Sequence, residues 1–209
     1  LFAFNGRSGD VTAIDGATGQ VAGTIALGGK PEFPVTDNAG NIYDNIEDKS
    51  EIVRIDPKAL KVTATWSLAP CDEPSGLAYD SSNKRLFAVC DNKKMAVVDT
   101  TSGKVVTTVT IGEGPDATAF DSEKKLIFSS NGEDGTLTVV KQESADKYTV
   151  ADTAKTEKSG RTLALDQKTH KLYISAAQFG PAPAATADNP HPRPKIVPGT
   201  FHLVVVSPE

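Results

Sequence analysis

The chain has 209 residues, 38% of them hydrophobic, with 22 basic side chains against 27 acidic ones and a net charge of −5. That length fits one domain, and the acidic balance lacks the basic footprint of a nucleic-acid binder. No apolar run approaches the roughly 18 residues of a membrane-spanning helix, while the apolar residues and 17 glycines suffice to bury a core. An ordinary DNA-binding module, a helical membrane span and a disordered tail are therefore excluded.

Leu1-Phe2-Ala3-Phe4 already reads as a strand, with no initiator methionine or signal pattern before it. N-terminal sequence is accordingly expected to be missing. Along the chain an apolar residue followed by Asp closes a β-type run at Ile14-Asp15, Ile55-Asp56 and Val98-Asp99, and more weakly at Val140-Lys141, in steps of 41, 43 and 42 residues. A second ladder, Asp37, Asp80, Asp121 and Asp166, advances by 43, 41 and 45 residues. The two interleave, which marks an internal repeat.

Each unit carries four short β-type segments, A to D. In the third unit these are Pro74–Tyr79, Arg85–Cys90, Met95–Asp99 and Lys104–Ile111. β-Branched residues fill the segments while Gly, Asp, Asn and Ser punctuate the gaps, as strands and tight turns require. No segment sustains a helical period. Four antiparallel strands per 40–45 residues is the pattern of a β-propeller blade, in which radial packing covers both faces of each sheet. The units run over residues 1–30, 31–73, 74–114, 115–159 and 160–209 of a single domain. The first holds B, C and D, and the last holds A, B and C. The prediction is all-β, with 18 strands in five units.

The Pro-led A segment ending in Asp, Leu86-Phe87-Ala88-Val89, Val97-Val98-Asp99 and Gly103-Lys104-Val105-Val106 together resemble the YVTN family of propeller repeats. Pro31, Pro74 and Pro115 open three A segments, and Gly160 replaces Pro in the fourth. Asn5 and Asn131 fit the family's segment-B ending, whereas Ile46, Cys90 and Ala176 depart from it. The resemblance spans the chain outside residues 178–199. It implies a C-terminal portion of a seven-bladed propeller of secreted or surface type, with segment A innermost and a D strand still to be added to the last blade. Open strand edges at both ends favour pairing, self-association included.

Cys71 precedes segment A of the third unit and Cys90 ends its segment B. In an up-and-down blade these positions share one end of adjacent strands, so a disulfide is expected. It places the chain in the periplasm or outside the cell. No Cys-x-x-Cys spacing suggests a catalytic dithiol.

With A innermost, the residue after its opening Pro or Gly forms a ring at the channel mouth: Glu32, Ser75, Asp116 and Arg161. This ring can hold a polar ligand, or a divalent cation such as calcium if loops and water complete its oxygens. No cofactor is called for. The stretch Gln178–Gly199, with six of the 13 prolines, breaks the repeat between B and C of the last unit. Such density favours an extended conformation. On the ring's face of the blade, it offers His191 and Arg193 as contact residues. His170 is expected in an exposed turn on the opposite face and His202 within a strand, too dispersed for a zinc cluster. No nucleophile elbow, P-loop or dinucleotide fingerprint is present.

The expected function is therefore a non-enzymatic binding propeller for a protein, glycan or small polar ligand. The alternative is a lactonase-like hydrolase, in which Glu32 and Asp116 hold a metal that polarises a carbonyl. Gluconolactonase propellers are similar in keeping acidic and amide metal ligands near the channel.

Overall fold

The structure is a computed structural model that describes residues 1–186 and 192–207. The first sheet holds β1 (Phe2–Asn5), β2 (Asp10–Ile14) and β3 (Val21–Ala26). The second holds β4 (Pro31–Thr36), β5 (Ile42–Ile46), β6 (Glu51–Asp56) and β7 (Lys61–Ser67). The third holds β8 (Pro74–Asp80), β9 (Arg85–Cys90), β10 (Lys94–Asp99) and β11 (Lys104–Thr110). The fourth holds β12 (Pro115–Asp121), β13 (Leu126–Asn131), β14 (Thr136–Ser144) and β15 (Lys147–Lys155). The fifth holds β16 (Leu163–Asp166), β17 (Lys171–Ala176) and β18 (His202–Val206). Every pairing between these strands is antiparallel. Among the described residues the only helical piece is a single 3-10 turn, Glu47–Lys49.

The Asp ladders explain the turns. Asp15 accepts the backbone N–H groups of Ala17 and Thr18, Asp56 those of Lys58 and Ala59, and Asp99 that of Thr101. Asp80 and Asp121 make the same bonds two and three residues on. Each carboxylate replaces a ladder partner with a local one, so the strand stops and turns. Where the ladder has Lys141 this acceptor is missing, and β14 runs on to Ser144.

Each core cluster is shared by two consecutive sheets. Phe2, Val11 and Ile25 of the first meet Ile42, Ile46 and Ile55 of the second. Tyr43 and Ile52 meet Leu77, Leu86 and Ala88 of the third. Phe87 and Met95 meet Phe120 and Ile127 of the fourth. Phe128 and Leu137 meet Leu172 and Ile174 of the fifth. Packing of β4 on β8, β8 on β12 and β12 on β16 brings the first strand of each sheet to one side of the arc, a propeller-like order.

Cys71 and Cys90 are fully buried and joined by a disulfide, with 5.7 Å between their Cα atoms and a sequence separation of 19. On the chain-entropy account that closed loop stabilises the fold by roughly 3 kcal/mol. Replacing Cys90 with Ser is expected to lower the urea midpoint accordingly. Added reductant should shift the wild type equally and leave the variant unmoved.

Candidate binding face

The connections between sheets and the turns between second and third strands lie at the same end. Their backbones bond directly: Gly132 N–H to the Gly114 carbonyl at 2.9 Å, and Asp91 N–H to the Asp72 carbonyl at 3.0 Å. The four predicted ring residues all lie at this end.

Arg161, just before β16, is held by three contacts. Its guanidinium meets Asp116 Oδ1 at 2.7 Å. Its carbonyl accepts a hydrogen bond from Ser130 Oγ. Its side-chain stem crosses Gly132 so closely that a Cβ there would stand 2.5 Å from Arg161 Cγ. The Asp116 carboxylate holds the guanidinium firmly in its charged form against burial, with Glu133 and Glu32 adding to the effect. Glu32 sits on β4 and pairs with Lys30 Nζ at 2.7 Å, while Glu47 pairs with the same ammonium. Hydrogen bonds to Glu32 and Glu47 raise Lys30 above the ordinary lysine range. Glu32, Asp116 and Arg161 thus share one electrostatic neighbourhood.

Ser75 has a different place. Its hydroxyl donates to the Pro115 carbonyl at 2.9 Å, tying β8 to β12. Asn45 laces the preceding junction, donating to the carbonyls of Ser75 and Gly76 at 3.0 and 3.1 Å.

Asp44, one residue before Asn45, is fully buried on β5. Neither of its carboxylate oxygens has a hydrogen-bond partner. Burial, with Glu32 adding to it, pushes this carboxyl up to about 8. An Asp-Asn pair flanked by apolar residues in Ile42–Ile46 is the only trace it leaves in the sequence.

The Pro-rich insertion leaves β17 and returns to β18 through a short ladder, in which Val197 N–H bonds the Gln178 carbonyl and Gly180 N–H bonds the Lys195 carbonyl. At its base Lys158, Ser159, Gln178, Phe179 and Pro194 line an open cleft of about 640 Å³. Phe179 is 46% exposed there. Arg193 is exposed, and His191 lies outside the described residues. Among the described residues no cluster of three or more His, Cys, Asp or Glu side chains is placed to hold a metal ion.

The opposite end is internally satisfied. Gln142 and Asn83 both donate to Asp80 Oδ2, at 2.8 and 2.7 Å. His170 is not the exposed turn residue the sequence suggests. Its ring is largely buried and its Nδ1 stands 2.6 Å from Asp121 Oδ2 across the junction of the fourth and fifth sheets. Burial works to raise Asp121, but hydrogen bonds from Lys124 N–H and His170 outweigh it and keep the carboxyl below the usual range. His202 opens β18 and meets Glu157 at 3.0 Å on the ring's side.

No protein-family model matches the chain, and no curated protein matches it significantly. Solved structures do resemble it. Hydrazine synthase of Kuenenia stuttgartiensis superposes over 100% of this chain with a TM-score of 0.78 at 16% identity. U3-55K superposes over 84% with a TM-score of 0.68 at 13% identity. The chain spans 59% and 54% of those two chains, and at such identities the likeness is one of fold alone.

Proposed function

We propose that the protein is a secreted or periplasmic, non-enzymatic binding module that takes a protein, glycan or small polar ligand on the face carrying Glu32, Asp116 and Arg161. We read its five sheets as blades of a seven-bladed propeller of the YVTN type; the repeat pattern and the likeness to large propeller-like structures support this reading. The buried disulfide supports an oxidising compartment. The observation that carries the functional reading is the pairing at the ring. Asp116 is paired with Arg161, and Glu32 shares the Lys30 ammonium with Glu47, so both ring carboxylates already face protein cations. Such a surface offers oriented donors and acceptors to a polar ligand. A lactonase-like centre needs those same carboxylates for a metal. Beside the ring, the cleft under the insertion adds an exposed aromatic, Phe179, of the kind that anchors ligands.

The test is an array of neutral and charged oligosaccharides and polar peptides. A bound class should be lost with Arg161→Glu and kept with Lys168→Glu, an exposed change on the opposite face. Binding that ignores Arg161→Glu, or that only Lys168→Glu removes, would overturn the assignment.

A further inference from the structure

Turns 6–9, 47–50, 91–93 and 132–135 are three or four residues long, whereas the corresponding connection from β17 to β18 takes 25. Its base is firmly tied. Ser159 Oγ donates to the Ala177 carbonyl at 2.6 Å and accepts the Ala177 N–H at 3.1 Å. Gln178 N–H bonds Thr200 Oγ1 at 3.0 Å, and Phe179 faces Ile196 across an isolated antiparallel bridge. A Cβ on Gly135 would stand 2.7 Å from Lys158 N, so this base abuts the fourth sheet. The walls of the cleft lie within 157–159 and 177–179 and at Pro194, and the unpaired edge of β18 is no part of them. Three exposed side chains of different chemistry meet there: an ammonium on Lys158, an amide on Gln178 and the ring of Phe179. Among the described residues the Lys158 and Gln178 side chains have no ion pair or hydrogen bond. Glu157, the one carboxylate of the wall, is taken by His202. Residues 155–161 and 178–202 together carry five Lys and Arg against two Asp and Glu, in a chain whose acidic residues outnumber its basic ones by 27 to 22.

We propose that this cleft is a subsite for an acidic sugar, a pyranose bearing a carboxylate, within the ligand that the ring face takes. The assignment rests on reading that face as a binding surface, and it names the ligand class. The C–H face of the pyranose lies on Phe179, whose ring presents its negative face to those hydrogens. The sugar carboxylate pairs with Lys158, a free charge on a surface with few competing carboxylates. Hydroxyls bond the Gln178 amide, which offers both donors and an acceptor. An acidic peptide shares the charge but fits the cleft less well. Peptides are held by an added strand, a helix groove or a proline groove. Here the N–H groups of Gln178, Gly180 and Val197 are already spent within the insertion, so recognition falls to side chains.

The probe is a galacturonic acid trimer, titrated into the protein by calorimetry beside the neutral galactose trimer. The acidic trimer should bind saturably and about tenfold more tightly than the neutral one. Phe179→Ala should weaken the acidic trimer about tenfold. Lys158→Gln should weaken it about fivefold and leave the neutral trimer unchanged. Both positions are exposed, and circular dichroism confirms that the variants are folded. Arg161→Glu separates this assignment from that of the ring. Loss with Arg161→Glu while both cleft variants bind normally keeps the ring face and overturns the cleft. Loss in both cleft variants while Arg161→Glu binds normally keeps the cleft and overturns the ring. No saturable binding of the acidic trimer, or equally tight binding of hexaglutamate, overturns the proposal.

Discussion

Replacing Asp44 with Ala is expected to stabilise the protein markedly at pH 8.5 and to change it little near pH 4. The carboxyl is buried without a hydrogen-bond partner and titrates at about 8 in the fold, against an ordinary value of 3.8. Burial of an unpaired charge disfavours the ionised form. As pH rises through 4, the unfolded chain releases this proton while the folded chain keeps it. Folding stability therefore falls from pH 4 up to about 8 and then levels, because both states are ionised. The loss across that window is on the order of several kcal/mol. The third sheet shows what the site tolerates: Ala88 pairs with Leu77 on β8 much as Asp44 pairs with Pro34 on β4, and Ala88 is fully buried. Urea midpoints of the wild type, Asp44→Ala and Asp44→Asn at pH 4.5 and 8.5 check the claim. The wild type should weaken between the two, and the variants should not follow it. Parallel pH dependence in all three proteins would show that Asp44 does not carry the effect.

Gly76→Val is expected to destabilise by about 3 kcal/mol or more, beyond ordinary overpacking of a side-chain core. A Cβ at this position would stand 2.7 Å from Thr118 N and 2.9 Å from the Ala117 backbone. Both obstacles are main chain, so no rotamer change relieves them. β8 and β12 would have to separate, breaking the bond from Ser75 Oγ to the Pro115 carbonyl and loosening the ring from within. Gly16→Val is the control, because nothing lies within 4 Å of a Cβ at Gly16. Its midpoint should stay within about 0.5 kcal/mol of the wild type. Equal loss in both variants would mean that the β8–β12 approach is not what matters.

The strands and turns were legible because their chemistry is local. An apolar run and the Asp that ends it lie on the same few residues, and Asp15, Asp56 and Asp99 bond backbone only two or three positions away. The disulfide was legible for a related reason: in a strand meander the ends that carry Cys71 and Cys90 must be neighbours. Contacts between sheets were not legible. Arg161 and Asp116 are 45 residues apart, and no periodicity says that one will neutralise the other. His170 reads as a turn residue, and only the approach of the fifth sheet to the fourth gives it Asp121. Ser75 and Asp116 hold the same place after an opening Pro, yet one bridges two strands and the other binds a guanidinium. Asp44 leaves no pattern at all, since its cost arises from what surrounds it.

The most direct measurement is a native mass spectrum of the protein in millimolar calcium acetate, repeated with Glu32→Ala and Asp116→Ala. With both carboxylates already facing Arg161 and Lys30, the wild type should carry no stoichiometric calcium, and the three proteins should look alike. One tightly held calcium per chain, lost in either variant, would contradict this account and make the ring a metal centre.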